Sequence, residues 1–314
     1  MPIVLDPTAA AVMEAFRAAN RPKYETMTAP EAREASKLGR AVVQPDPPKL
    51  ASVDDVTAPS PHGPIPLRVY KPLTLPKSGP APAFIFYHGG GWVIGDLDSH
   101  DVVCRQIADQ AGFVVLSVDY RLAPEHKFPA AAVDAIAATE WIVANSAKFG
   151  IDKNRIFVGG DSAGGNLTAV VTLNARDNGG PKFAGQVLIY PATDFAMTHR
   201  SHSDPETSVL LTHSLIRWFS DHYLTCKADI DDWRASPARA QALKGLPQAY
   251  VMTAGADPLH DEGVEYKDRL KAAGVDVTYS EYPGQFHGFW TMGKLIPEAN
   301  RLTSEVAQWL KARA

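Results

Sequence analysis

The chain has 314 residues, with 31 Lys plus Arg against 35 Asp plus Glu and 45% hydrophobic residues. At this length about three quarters of the surface exposed by an unfolded chain can be buried, so the composition is that of an ordinary globule, not a fibre or a disordered tail. A formal charge of −4 without blocks of like charge argues against nucleic acid as a partner. The longest apolar runs, such as Phe113 to Val118, stop far short of the roughly 20 residues that span a bilayer, so no membrane segment is expected. Met1 to Phe16 carries Asp6 and Glu14 and no basic residue, unlike a secretory leader, and a cytoplasmic location is expected. Cys104 and Cys226 have no second cysteine nearby for a zinc-type pair and read as reduced thiols.

In chain order, Asp6-Pro7 has the form of an N-cap followed by proline at the first helical position, and Thr28-Ala29-Pro30-Glu31 has capping-box spacing. The first forty residues therefore read as two helices with no strand between them. Prolines recur from Gln44 to Pro72 too often for a helix or a central strand, so this stretch is a connector with one or two edge strands, Leu67 to Tyr70 the clearest. From Ala83 onward short apolar runs alternate with longer helical segments, the mark of βαβ units and a mainly parallel sheet. Strands are predicted at Phe84 to Tyr87, Phe113 to Val118, Arg155 to Val158, Gln186 to Tyr190, Ala249 to Thr253 and Val277 to Glu281. Helices are predicted near 99–111, 129–147, 163–176, 261–273 and 295–312. The gap between Tyr190 and Tyr250 is too long for one crossover. Within it, Thr212 to Leu224 places Leu215, Ile216, Phe219 and Tyr223 on one helical face and reads as an insertion. With the N-terminal helices it is expected to form a cap, because ligands of an open α/β sheet bind beyond the carboxyl ends of its strands. The expected division is 1–50 for N-terminal cap helices, 51–194 with 236–314 for the catalytic domain, and 195–235 for the cap insertion.

Gly160-Asp161-Ser162-Ala163-Gly164 satisfies the G-x-S-x-G pattern between the strand ending at Val158 and an Ala/Leu/Val-rich helix. A turn tight enough to expose the serine oxygen holds that serine in a sparsely allowed conformation, so the residues two before and two after must be small. The alternative, a phosphate-cradling turn, fits neither G-x-G-x-x-G nor a Walker pattern. His88-Gly89-Gly90-Gly91-Trp92 directly follows the strand Phe84 to Tyr87, and the N–H groups of such a glycine run can approach an oxyanion without side chains in the way. Gly89 and Gly90 are the expected donors, and a plain flexible turn is the alternative.

A serine hydroxyl needs a base to take its proton, and the base needs a carboxylate to fix its tautomer. In the order Ser, acid, His, the candidates are Asp257, just after the strand ending at Thr253, and His287, just after the last strand. Both segments leave the same edge of the sheet as Ser162. Asp261 and Glu262 would begin the next helix as first-turn charges favoured by the dipole, and His260 reads as a solvated or capping residue. Trp92, Phe195, Trp218 and Phe289 lie in or beside the site loops or the cap and are expected to line an acyl or aryl pocket, with core burial the alternative for each. His199 and His202 with Asp194 are the only near group that would suit a metal, and no metal is expected.

These motifs, together with Ile94-Gly95-Asp96, Asp119-Tyr120-Arg121-Leu122-Ala123-Pro124-Glu125, Gly160 to Asn166, Asp257-Pro258-Leu259 and His287-Gly288-Phe289, extend over the chain from about residue 65 to its end. The whole resembles the hormone-sensitive-lipase family of esterases, in its bacterial GDSAGG branch. The resemblance implies an α/β-hydrolase fold: a mostly parallel central sheet flanked by helices, with a helical cap from the N-terminus and an insertion after the sixth strand. It implies Ser162 as nucleophile, Asp257 as acid, His287 as base, and the N–H groups of Gly89, Gly90 and Ala163 as the oxyanion hole. It further implies no cofactor and short- to medium-chain acyl esters as substrates. The alternatives are an amide, lactone or carbamate on the same triad, or a non-catalytic small-molecule-binding relative. Tyr120 to Glu125 and Asp161 carry no assigned chemistry and read as bracing. The strand Val277 to Glu281 is expected at a sheet edge, where the resemblance would allow a homodimer.

Overall fold

Strand residues alternate between two apolar faces, and the sheet is covered on both. Along Ala81–Tyr87 (β3), Phe84 and Phe86 enter one core while Ala83, Ile85 and Tyr87 enter the other; Phe157, against Ile156 and Val158, repeats this one strand over. The computed structural model describes residues 3–75 and 79–314. In chain order the elements are α1 (Pro7–Ala18), α2 (Ala29–Leu38), α3 (Arg40–Val43), β1 (Ser52–Ala58), β2 (Ile65–Lys71), β3, α4 (Asp101–Ala111) and β4 (Val114–Val118). There follow α5 (Ala130–Ala144), α6 (Ser146–Phe149), β5 (Ile151–Asp161), α7 (Ala163–Asp177), β6 (Gly185–Ile189), α8 (Arg200–Ser203) and α9 (His213–Tyr223). The chain closes with β7 (Ala249–Ala256), α10 (His260–Ala272), β8 (Val277–Phe286) and α11 (Pro297–Arg313).

The eight strands form one sheet in the order β1-β2-β4-β3-β5-β6-β7-β8. The β1/β2 and β2/β4 pairs are antiparallel; every other pair is parallel. The proline-rich connector becomes a hairpin at one end of the sheet, but Leu67 to Tyr70, expected at an edge, lies in β2 and pairs on both sides; the edge strand is β1, which contains no proline. At the other end β8 is the edge. Helices α4, α11 and α1 cover one face, and α5 and α7 the other. Asp134, inside α5, is buried and held by a bidentate pair from Arg121 at 2.7 and 2.8 Å.

Parallel pairing puts the carboxyl ends of β3, β5, β7 and β8 on one edge of the sheet, so residues 88, 162, 257 and 287, far apart in sequence, emerge together. Above that edge lie α1 to α3 and the long β6–β7 connection that includes α9. Two capping expectations come out differently. Thr28 and Glu31 make the capping box of α2. Asp6 makes no cap bond; its carboxylate accepts Gln285 Nε2 at 2.8 Å and its backbone N–H donates to Gly284 O, which ties α1 to the end of β8 instead.

Candidate active site

Ser162 has φ 55° and ψ −116°, a conformation an L-residue adopts only when its surroundings enforce it. The enforcement is visible. Ser162 N–H donates to Ile189 O at the end of β6, and Ser162 O accepts from Asn166 N–H and Ala192 N–H. Gly160 and Gly164 both sit against the Tyr87 carbonyl oxygen, so closely that a Cβ on either would overlap it. The serine therefore stands at a sharp strand-to-helix corner, with its hydroxyl facing the space below the cap.

His287, the first residue beyond β8, meets that hydroxyl: its Nε2 lies 2.8 Å from Ser162 Oγ, and its Nδ1 lies 2.7 Å from Asp257 Oδ2. A carboxylate has no proton to give, so Nδ1–H donates to Asp257 and the Nε2 lone pair accepts the serine hydroxyl. Asp257 is wholly buried, and its other oxygen accepts Leu259 N–H at 2.8 Å. Tyr190 packs its ring on His287 at 4.6 Å between centroids. The sequence order and edge argument thus converge on three side chains in hydrogen-bonded sequence. Asp261 is elsewhere, held by Ser201 N–H and beside His260, which also reaches Glu281.

The glycine loop requires a correction. Gly89 N–H donates to Asp161 Oδ1 at 2.9 Å and so is not available to an oxyanion. Gly90, Gly91 and Ala163 N–H groups make no hydrogen bond among the described residues. His100 Nε2 sits 3.0 Å from the same Asp161 oxygen. Burial alone would push the Asp161 carboxyl up, but the neighbouring His100 imidazole and the hydrogen bond from Gly89 N–H outweigh it and hold it below its ordinary value. Asp161, expected only to brace the elbow, therefore joins elbow to glycine loop. Beside it His88 is wholly buried; desolvation, and then the nearby His100, push it down to about 4. Its Nδ1 lies 2.8 Å from Gly89 O, its ring stacks on Tyr120, and Tyr120 hydroxyl donates to His88 O.

A cavity of about 1280 Å3 opens over Ser162 and His287. Trp92 and Phe195 line it as expected. Trp218 and Phe289 do not. In α9 the apolar face facing the cavity carries Leu215, Ile216 and Phe219, whereas Trp218, one residue and about 100° away, turns aside and packs on His222 at 4.2 Å. Phe289 follows Gly288, whose φ of 85° reverses the chain and drops the ring, wholly buried, against Tyr190 and Tyr282.

Glu262 is likewise no exposed first-turn charge. It is buried, its Oε1 accepts Thr193 N–H, and its Oε2 lies 2.6 Å from His202 Nε2. Burial drives the Glu262 carboxyl up. His202, His199 and Glu262 offer ligand atoms close together. However, His202 Nδ1 accepts the His199 backbone N–H, which leaves Nε2 carrying the proton it donates to Glu262, with no lone pair for an ion. The group clamps the insertion to α10. Asp194, grouped with these histidines by sequence proximity, is paired with Arg239 instead.

Comparison with known proteins places the chain in a family. The model for the alpha/beta hydrolase fold matches residues 84–291, and the chain belongs to that family. Among curated relatives, the esterase LipI of Mycobacterium tuberculosis is 43% identical over 263 residues, 83% of this chain and 82% of that protein. The ethyl acetate hydrolase of Pseudomonas putida is 37% identical over 298 residues, 92% of each. Among solved structures, an ester-hydrolase from the metagenome of Lake Arreo superposes with a TM-score of 0.95 at 40% identity, covering 98% of this chain and 99% of that one. A hyperthermophilic esterase from the archaeon Pyrobaculum calidifontis gives 0.91 at 39% identity and 99% of each.

Proposed function

We infer that this chain is a carboxylesterase acting on short- to medium-chain acyl esters through an acyl-enzyme intermediate. The observation that carries the reading is the unbroken relay from Asp257 through His287 to the Ser162 hydroxyl, at 2.7 and 2.8 Å, on the floor of the cavity. The names of the relatives, esterases and an ethyl acetate hydrolase, support the same substrate class.

As Ser162 Oγ bonds to the ester carbonyl carbon, its proton passes to His287 Nε2, and Asp257 stabilises the imidazolium through Nδ1–H. The carbonyl oxygen gains the electron pair and is held by N–H donors of Gly90, Gly91 and Ala163, with Gly91 taking the place first given to Gly89. The tetrahedral species collapses, the carbon–oxygen bond to the alcohol breaks, and His287 gives its proton to the leaving oxygen. Water then adds by the same route, freeing the carboxylic acid and restoring Ser162. No step requires a cofactor. The cavity exceeds the roughly 300–1,000 Å3 common for small-ligand sites, which leaves room for acyl and alcohol arms together.

The test is hydrolysis of p-nitrophenyl esters from acetate to palmitate. Activity is expected to peak at short chains and to fall on the order of a millionfold in kcat for Ser162→Ala. Asp257→Asn is expected to cost about ten-thousandfold and Asp261→Asn almost nothing. The reverse order for the two aspartates would reassign the acid, and a flat profile out to palmitate would refute the substrate class. A dimer paired through the open edge of β8 belongs to the same reading and is checked by sedimentation.

A further inference from the structure

Helix α9 rests on the glycine loop at the point where the proposed donors lie. Gly91 has φ +58°, and a Cβ there would fall inside the ring of Phe219, so the ring occupies the place a side chain would take. One residue on, Trp92 holds φ 59°, a left-handed conformation that costs a non-glycine residue on the order of 1 kcal/mol or more. Its indole is stacked flat on Tyr223, with centroids 4.5 Å apart and 8° between planes, and Phe195 packs against both rings, 5.0 Å from Trp92 and 5.8 Å from Tyr223. Phe219 and Tyr223, one helical turn apart on α9, thus hold two consecutive residues of the loop.

The helix itself is fixed at both ends. Thr212 Oγ1 caps its N-terminus through Leu215 N–H. At the other end Lys127 Nζ donates to Asp221 O and Leu224 O, and Phe128 N–H donates to Tyr223 O. Beneath the loop, Asp161 fixes Gly89 from the elbow side. The loop is therefore clasped from below by a carboxylate and from above by two rings, while Phe219 also lines the cavity that receives the substrate.

We propose that Phe219 is a positioning residue for the oxyanion hole: seated on Gly91, it fixes the orientation of the donor N–H groups, with Tyr223 holding the adjoining turn through Trp92. The idea rests on the esterase reading above and goes beyond it. The β6–β7 insertion is then part of the catalytic apparatus, because it sets the geometry of the transition-state donors and does not merely cover the substrate. A substrate arm that displaces Phe219 also disturbs Gly91, which links fit in the cavity to the rate of the chemical step.

The test uses Phe219→Leu, with Tyr223→Leu as a second variant on the other contact and Phe219→Tyr as the conservative control that keeps the ring. Steady-state constants on p-nitrophenyl butyrate are measured beside inhibition by an alkyl trifluoromethyl ketone, whose adduct with Ser162 carries an oxyanion, and by butyrate, which forms no such adduct. Removal of one oxyanion donor costs about 100- to 1,000-fold, so misalignment by loss of the ring is expected to lower kcat roughly 10- to 100-fold with KM within about twofold. Ketone affinity should weaken by the same factor as kcat/KM, butyrate inhibition should stay within about twofold, and Phe219→Tyr should restore both rate and ketone affinity. A raised KM with unchanged kcat, or a lowered kcat with unchanged ketone affinity, would overturn the proposal and leave Phe219 as pocket lining. If the unsubstituted protein shows no Ser162-dependent hydrolysis and no ketone binding, the esterase reading itself fails, a result separate from either of these.

Discussion

At Asp161 and His88 burial asks the same question of two ionisable groups a few ångströms from the site and receives opposite answers. Asp161 finds compensating partners and stays charged; His88 finds none for its Nε2 and is held neutral. Because the Asp161 carboxyl is lowered in the fold, its contribution to stability is present above the ordinary value of 3.8 and is lost as pH falls below it. Asp161→Asn keeps an acceptor for Gly89 but removes the charge. Since a charge-assisted bond is about twice as strong as a neutral one, the variant should be less stable by about 1 kcal/mol in urea unfolding at pH 7. That difference should shrink as pH falls below 3.8, toward the lowered value of the folded state. His88 acts in a separate window: unfolded chains take up a proton near 6.5, the folded chain only near 4, so its contribution is lost as pH falls from 6.5 to 4. The drop corresponds to about 3 kcal/mol. The deficit of His88→Gln in urea unfolding at pH 7.5 is therefore expected to shrink by about that amount at pH 4; a constant deficit would mean that His88 is not buried neutral.

Elements are joined to the site by side chains whose partners lie far away in sequence. Helix α2 sends Arg33 to three acceptors at once: Val93 O beyond the glycine loop, Ala123 O, and the Glu125 carboxylate, all within 2.6 to 2.8 Å. The Tyr120 to Glu125 segment thereby acquires its role, which is to hold the cap: Tyr120 supports His88, Arg121 locks α5, and Glu125 receives α2. Arg33 holds the Glu125 carboxyl down to about 2. Arg33→Ala strips two backbone carbonyls of their donor and should cost about 2 kcal/mol in thermal or urea unfolding. Glu125→Gln should cost far less, under about 1 kcal/mol, because that carboxylate is nearly half exposed and its ion pair is screened by water. Equal losses would show that the ion pair, and not the carbonyl anchoring, holds α2.

Over the whole molecule, one central sheet does the positioning. Its parallel strands deliver Ser162, His287, Asp257 and the glycine loop to a single edge, and two segments distant in sequence, the N-terminal helices and the β6–β7 connection, close over them. The motif residues, the meeting of Ser162, Asp257 and His287, the main strands and helices and the family were legible in the amino-acid sequence, because each rests on local chemistry: a glycine where no Cβ fits, a period of two or of 3.6, a carboxylate just beyond a strand end. What only the tertiary structure decided concerns direction and company. Gly89 carries the same residue type as Gly90 and Gly91, yet its N–H is taken by Asp161. Trp218 and Phe219 are adjacent aromatics on one helix, but only Phe219 faces the cavity. Glu262 and Asp261 are adjacent acids, but only Glu262 is buried against His202. Sequence specifies which groups are present and the local turns they require; which neighbour each group meets is set by the packing of segments distant along the chain, and that packing is a property of the folded whole.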